Sequence, residues 1–304
     1  MPDNKLVSII VNCFNGEKYL KGTLDSIISQ TYCDWELIFW DNRSTDLSAR
    51  IFQSYSDKRF KYFLSETHTS LNHARTNALE KISGDFFCFL DTDDTWFPNR
   101  LESQIKAFDQ KVSFIYSNVI YFNKEKEKVC YKKKQPEGYI YDKLLMNYNI
   151  ASSSVLFSTE VVKNLKVKID TQFDTIADYD LIMRLASNHK VKYVDLVLAK
   201  VRMHRDSLTW KFPYQALKEI ELWYEKQLDF YYKDKKFSRI LKISKKKNFS
   251  KHARMLIMYG RKSEAFSMIL KSAMWDWKWL VTLFLFFMPF SKKILQSNHE
   301  KNFD

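Results

Sequence analysis

The chain has 304 residues, of which 45% are hydrophobic, 16% aromatic and 28% charged. That balance provides for a packed core and excludes disorder as a global state, and the length suits one large domain or one domain with a smaller appendage. The net charge of +13 is concentrated at one end: residues 211–304 hold 20 Lys and Arg against 9 Asp and Glu, so the last third carries +11 of it and the two parts are expected to meet different partners.

Cys13, Cys33, Cys88 and Cys130 are scattered, with no Cys-x-x-Cys pair. Neither a disulfide framework nor a zinc site is indicated, and a reduced, cytoplasmic compartment is expected. The apolar run near the N-terminus covers only about seven residues and reads as a strand rather than a secretory signal. No stretch reaches the ~20 apolar residues that span a bilayer. The nearest, "WKWLVTLFLFFMPF" (277–290), is shorter and carries a Lys and a Pro.

The first hundred residues alternate strand and helix signals. Leu6 to Val11 is a β-rich run, and Leu20, Leu24, Ile27 and Ile28 then recur at helical spacing. "WELIFWD" (35–41) is a second strand, after which Ser44 is the expected N-cap of a helix bearing Leu47, Ile51 and Tyr55. "FKYFL" (60–64) is a third strand, followed by a helix over 72–81 and a strand over 86–90. Strand and helix units of about 25 residues imply right-handed crossovers and a mainly parallel sheet flanked by helices, an α/β fold.

Beyond residue 100 the pattern loosens. "VSFIYSNVIYF" (112–122) and "SSSVLFS" (152–158) read as strands, with the lysine-rich "KEKEKVCYKKK" between them a solvated turn or hairpin arm. "ADYDLIMRLASN" (177–188) is an amphipathic helix with Leu181, Met183 and Leu185 partly buried, and "KYVDLVLAKVRMH" returns to strand. From Pro213 onward the pattern is helical and basic.

In a parallel sheet, ligands bind beyond the carboxyl ends of the strands. There lie Asn12 to Asn15, Asp41 with Asn42, and Asp91, Asp93 and Asp94 in "LDTDDTW". Acidic clusters meeting at one rim repel unless something positive lies between them. A plainer alternative is an acidic turn ahead of the helix begun by "WFPNRL", where Asp favours the helix N-terminus.

In order and spacing, "SIIVNCFNGEKYLKGTLDSIISQTY", "WELIFWDNRSTDLS", "HARTNALEKISGDFFCFLDTDDTW", "ADYDLIMRLA" and "VRMHRDSLT" resemble the family 2 glycosyltransferases of the GT-A fold, over roughly residues 5–210. The resemblance implies a GT-A domain over 1–210, with a nucleotide-binding half over about 1–110 and an acceptor half over about 111–210, and a helical region over 211–304. It implies transfer of a sugar from a nucleotide diphosphate, a UDP-sugar foremost, to an acceptor hydroxyl with inversion. Mg²⁺ or Mn²⁺ would carry the diphosphate, supplying the positive charge that the carboxylates call for.

Carried over residue by residue, Asp91 and Asp93 are the D-x-D pair, with Asp93 on the metal and Asp91 shared between metal and ribose. Asp41 accepts from the base, Phe14 stacks near it, and Cys13 serves through its backbone where the family has a small residue. Arg75 faces phosphate or base; the alternative is a surface arginine. The segment before it, "ETHTSLN", departs from the family pattern, in which a Gly and an Asn are common. Asp178 is the base that takes the acceptor proton, against the alternative that it only caps its helix; Ala177 replaces the usual preceding Glu. Asp180 is structural. In "RMHRDS", Arg202 meets phosphate and His204 adds a metal ligand, unless it is merely packed. Asp94 receives no role.

By the same resemblance the setting is bacterial surface-polysaccharide or lipid-linked saccharide assembly. Lys and Arg beside Trp, Phe and Leu after residue 211 suit a segment lying on an anionic membrane surface, which predicts a peripheral position on the cytoplasmic face of the inner membrane. A buried aromatic helix with a solvated lysine face is the alternative. Charge alone would also suit nucleic acid, but no zinc finger, RNP motif or recognition helix accompanies it, and no nucleic-acid partner is expected. A pyrophosphorylase would carry a Gly-rich loop after the first strand, where "NCFNGEKYL" has one Gly. A non-catalytic sugar-nucleotide-binding module would not need the metal and base positions filled.

Overall fold

A computed structural model of the chain describes residues 5–109, 111–204, 207, 211–258, 260–272, 281, 284 and 286–288. The chain divides into two compact units, one of Met1–Tyr141 with Asn149–Met203 and the other of Asp142–Tyr148 with His204–Asp304.

The first unit begins with β1 (Val7–Cys13), α1 (Glu17–Ile28), β2 (Trp35–Asp41), α2 (Ser48–Gln53), β3 (Phe60–Leu64), α3 (Leu71–Leu79) and β4 (Phe86–Phe89). The four strands are parallel neighbours in the order β3-β2-β1-β4. β2 and β4 are buried at every position and β1 at all but Asn12, as expected of strands covered by helices on both faces. Val7, Ile9 and Val11 of β1 share a core with Leu20, Leu24 and Ile27 of α1, and alternation turns Ser8, Ile10 and Asn12 to the opposite face. The chain leaves β1 toward β2 on one side, while β4 joins β1 on the other. That reversal of strand order opens a crevice at the carboxyl ends of β1 and β4.

The later elements are β5 (Thr95–Trp96), α4 (Arg100–Ala107), β6 (Val112–Phe122), β7 (Glu127–Val129), α5 (Tyr141–Met146), β8 (Leu156–Ser158), α6 (Thr159–Lys163), α7 (Ala177–Asn188) and β9 (Lys190–Arg202). Among the described residues they extend one nine-stranded sheet in the order β3-β2-β1-β4-β8-β6-β9-β5, with β7 beside β6. β8 runs antiparallel to both β4 and β6, and β6 is parallel to β9, so the second half of the sheet is mixed.

Three local expectations are corrected. Ser44 is not a helix N-cap: α2 starts four residues later, and the Ser44 amide closes a turn onto Asp41 instead. The expected strand over 152–158 is strand only from Leu156, because Ser152–Ser154 form a 3₁₀ turn. That turn aims the carbonyls of Ser153, Ser154 and Val155 at Trp96, Gln104 and Arg100. In α7, Leu181, Met183 and Leu185 are fully rather than partly buried, since Ile182 between them is buried too.

In the second unit, α8 (Pro213–Phe230), α9 (Lys235–Met258) and α10 (Lys262–Ser272) follow in sequence. Leu217, Ala253, Leu256, Ile257, Ala265 and Ile269 form their shared core. A polar knot locks α8 to α9, where the Tyr224 hydroxyl and Ser244 Oγ lie 2.6 Å apart and Asn248 donates to Tyr224. Among the described residues no helix is long and apolar enough to cross a membrane, and the aromatic run 277–290 lies mostly outside them.

At the rim of the sheet away from the crevice, Glu36 is buried with 4% of its surface accessible. It accepts from Ser8 Oγ (2.5 Å), the amide and hydroxyl of Ser83 (2.7 and 2.9 Å) and Lys61 Nζ (2.5 Å). Beside it Gly84 is compelled, because a Cβ there would stand 2.7 Å from backbone atoms of Leu6 and Ser8. Burial pushes the Glu36 pKa up, but these four donors outweigh it and hold the carboxyl below the usual glutamate value of 4.5. A depressed folded pKa contributes stability that is present above the unfolded value and lost as pH falls through the folded one. We expect Glu36→Ala to cost about 2–4 kcal/mol in urea unfolding at neutral pH. The gap between Glu36→Gln and the parent should narrow as pH is lowered below about 4.

Candidate active site

The crevice is built from two loops that cap each other. After β1, Asn15 takes a left-handed backbone (φ 54°), as does Arg43 (φ 69°) after β2. Such conformations are uncommon for residues with a Cβ, and surrounding bonds hold them. The Asn15 amide donates to Ser44 Oγ (3.1 Å), and Asn15 Oδ1 accepts from the Thr45 amide (2.8 Å). The first amides of α1, which lack a cap from their own N-cap residue, find acceptors across the gap: Gly16 donates to Ser48 Oγ (2.9 Å) and Glu17 to Asp46 Oδ2 (2.9 Å). Glu17 reciprocates by accepting from the Leu47 amide (2.8 Å).

Within this frame, Cys13 is buried, its thiol turned toward Gly16 and Ser44 and its carbonyl accepting from the Asn42 amide (2.8 Å). Burial raises the thiol pKa, so it is no nucleophile. Phe14 lies half exposed, its ring centroid 4.0 Å from that of His68. Asp41 is fully buried: Oδ1 accepts from the Ser44 amide (2.7 Å) and Oδ2 from the Tyr62 hydroxyl (2.6 Å). Asp41 therefore shapes the loop, and any base N–H reaching it must share an oxygen already in use.

On the opposite flank stands the turn after β4. Thr23 of α1 donates to the carbonyls of both Thr92 and Asp94, and the Asp94 amide donates to the Asp91 carbonyl (3.1 Å). A Cβ on Gly16 would come within 3.1 Å of Thr92, so the glycine lets the β1 loop close against this turn. Because α4 begins only at Arg100 with Asn99 as its N-cap, the acidic run does not cap it.

The carboxylates in the turn meet different fates. Asp94 is buried; Ser153 Oγ donates to its Oδ2 and the Arg202 amide to its Oδ1 (2.9 Å). Burial, with the nearby Asp93 and Asp91 charges, drives its pKa well up. Asp91 pairs with Arg75 at 3.1 Å, and only 7% of the arginine side chain is accessible, so Arg75 is no surface residue. Although 48% of the Asp91 side chain remains accessible, lost hydration and the charges of Asp93 and Asp178 raise its pKa against the pull of Arg75. Asp178, in the first turn of α7, is near enough for its charge to act on Asp91. The N-cap of α7 is Ile176, with no side-chain cap bond, whereas Asp180 is buried and accepts from Arg184 Nε (2.8 Å).

Arg202 ends β9 beside the same turn. Its Nε donates to the Asp93 carbonyl (3.1 Å), and its guanidinium lies 4.3 Å from the Tyr19 ring and 4.4 Å from the Phe122 ring. His204 belongs to the second unit. Among the described residues no three His, Cys, Asp or Glu side chains gather as a metal cage. Sequence reasoning left Asp94 without a role and missed Thr23, Tyr19, Ser153 and His68. Only the three serines of 152–154 carry a visible signal, as residues that bond their own backbone and turn the chain.

The model of the family described as glycosyl transferase family 2 matches residues 8–158. The Escherichia coli UDP-Glc:alpha-D-GlcNAc-diphosphoundecaprenol beta-1,3-glucosyltransferase WfgD is 30% identical over 210 residues, 68% of this chain and 81% of that protein. A second E. coli glucosyltransferase of the same description, WfaP, is 31% identical over 67% of this chain and 80% of its own. Among solved structures, S. aureus TarS 1–349 in complex with UDP superposes with a TM-score of 0.57 at 20% identity, over 66% of this chain and 61% of that one. The mannosyltransferase PcManGT from Pyrobaculum calidifontis, in complex with GDP-Man and Mn²⁺, gives 0.57 at 16% identity, over 97% and 86%. These two likenesses speak to the fold, which is GT-A. The sequence matches go further, and with them the chain belongs to the family 2 glycosyltransferases.

Proposed function

We propose that this glycosyltransferase moves a sugar from a nucleotide-diphosphate donor, a UDP-sugar foremost, to a hydroxyl of a lipid-linked saccharide, by a single displacement with inversion. The observation that carries this reading is the nearness of Asp91, Asp93 and Asp178, the last two charges both acting on Asp91 beside the buried Arg75. WfgD and WfaP, by their names, use UDP-glucose and a diphosphoundecaprenol-linked acceptor, which favours the same pairing here.

The donor set of the rim suits a hard dication: two carboxylates with one residue between them. The lack of a three-residue cage among the described residues is compatible with an ion that takes its other ligands from phosphate and water. Asp91 and Asp93 would hold Mg²⁺ or Mn²⁺, which when bound supplies Lewis-acid stabilisation of the departing diphosphate. Arg75, paired with Asp91, and Arg202, near the rings of Tyr19 and Phe122, give further positive charge where that leaving group gains negative charge. Asp178, set apart from the pair on α7, takes the proton from the acceptor hydroxyl as it attacks opposite the leaving group.

The second unit offers a surface for a lipid-borne acceptor. Phe266 and Leu270 on α10, with Phe284 and Phe287, are exposed, and Lys242, Lys246 and Lys247 are exposed along α9. Exposed aromatics beside clustered lysines suit the interface of an anionic membrane.

Asp93→Ala and Asp178→Asn are each expected to lower transfer at least about 100-fold with an unchanged thermal melt. The measurement is nucleotide release from a panel of UDP-, dTDP- and GDP-sugars with Mn²⁺; full activity in either variant removes that residue from its role. EDTA should stop the reaction and added Mn²⁺ restore it, whereas turnover that persists in EDTA would remove the metal. Asp94→Ala, by stranding the Arg202 amide and the Ser153 hydroxyl, should cost about 2 kcal/mol in chemical denaturation. In flotation with liposomes containing anionic lipid, the triple change Lys242→Gln, Lys246→Gln and Lys247→Gln should shift the protein toward the unbound fraction; equal flotation would defeat the membrane reading.

A further inference from the structure

We propose that the hairpin of β6 and β7 holds the anionic end of the acceptor: Lys124, Lys126 and Lys128 receive the diphosphate of the lipid that carries the sugar to be extended. The inference rests on the lipid-linked acceptor proposed above and gives it a place on this chain.

The hairpin stands at the rim of the crevice. β4 and β6 both run antiparallel to β8, so they run the same way and end on the same side of the sheet. Phe122 closes β6, and its ring lies 4.4 Å from the guanidinium of Arg202, the arginine that donates to the Asp93 carbonyl. One position earlier, Tyr121 is near enough to Asp94 for that charge to add to burial and Cys130 in raising its pKa. Lys128 of β7 stands directly opposite Tyr121 in the antiparallel pair and shares its face. The turn between the strands is fixed. Asn123 Oδ1 accepts from the amides of Glu125 (3.0 Å) and Lys126 (2.9 Å), and the Asn123 amide donates to the Lys126 carbonyl (3.1 Å).

The charge of the first two thirds is gathered here. Residues 1–210 carry a net +2, yet 123–134 alone hold six Lys against two Glu, a balance of +4. Of those acids, Glu127 is taken by Lys200 of β9 (2.6 Å). Lys124, Lys126 and Lys128 are exposed, and among the described residues none of the three has a carboxylate partner. Three ammonium groups on one short turn suit two adjoining phosphates, each lysine acting as a mobile point charge. In an acceptor whose diphosphate bears one sugar, the phosphates lie a single ring from the attacking hydroxyl. Their cations must therefore lie along the crevice and be other than Arg75 and Arg202, which stand at Asp91 and at the Asp93 peptide on the donor's side. The hairpin lysines meet both conditions.

The test is calorimetric titration of the full chain with octyl diphosphate and octyl phosphate in EDTA, which keeps any dication from carrying them to Asp91 and Asp93, and with UDP in Mn²⁺. The parent should bind octyl diphosphate at least about threefold more tightly than octyl phosphate, since the second phosphate adds charge for the same lysines. The triple change Lys124→Gln, Lys126→Gln and Lys128→Gln should weaken octyl diphosphate about tenfold, the size of three exposed ion pairs, and leave UDP and the thermal melt unchanged. The triple change Lys242→Gln, Lys246→Gln and Lys247→Gln on α9 should bind octyl diphosphate as the parent does. If the parent binds octyl diphosphate and the hairpin variant matches it, or the α9 variant takes the loss instead, the role of the hairpin is overturned while a diphosphate acceptor stands. A hairpin variant that loses UDP as well would put these lysines on the donor and overturn the inference too. If the parent binds UDP but neither alkyl phosphate, the diphosphate acceptor falls with the hairpin and the donor reading survives.

Discussion

Negative charge crowded at the carboxyl end of β4 is the constraint around which the rest of this site is arranged. Asp91, Asp93 and Asp94 fall within four positions, and Asp178 arrives from another element. The protein divides the burden by giving each carboxylate a different environment. Asp94 is withdrawn into the interior, where a serine hydroxyl and a backbone amide satisfy it and its raised pKa favours the uncharged acid. Asp91 is offset by one buried arginine. Asp93 is held by its main chain through Arg202, so its carboxylate is positioned without being neutralised by that contact. On the function proposed above, a cation and a diphosphate complete the balance in the crevice.

That division explains why a buried acid stands beside the two proposed to hold the ligand. Asp94 joins the turn after β4 to the 3₁₀ turn at Ser152–Ser154 and to the end of β9, while its carbonyl receives Thr23 from α1. Four segments far apart in sequence meet at one side chain and its peptide. Polar networks of this kind stabilise only when every member is satisfied, and they then fix one geometry. The site gains its rigidity from this knot and from the core beneath the parallel strands.

Much of this architecture was legible in the sequence where one period dominated. β1, β2 and β4 are largely apolar runs because helices cover both their faces, and α1 and α7 show their apolar stripes plainly. The polar residues following those strands were placed at one rim by topology alone. What stayed hidden depends on contacts distant in sequence. Ser44 looks like a helix cap by local rules, yet Asp41 captures its amide for a turn. Ser152–Ser154 precede a true strand and were absorbed into it, since their partners, Asp94, Trp96 and Gln104, lie fifty or more residues earlier. Tyr19 sits on a helix whose pattern explains its neighbours, and nothing local announces that its ring flanks Arg202.

The reciprocal capping of the β1 and β2 loops limits how this fold can diversify. Each loop supplies acceptors that the other's amides need, and each holds one residue in a left-handed conformation within this shared frame. Lengthening either by a single residue would strand donors in both, so the pair can change only in concert. New specificities in enzymes built this way should therefore arise by exchanging side chains on an unaltered main chain in the donor half, and by insertion or deletion only in segments not stitched to a neighbour.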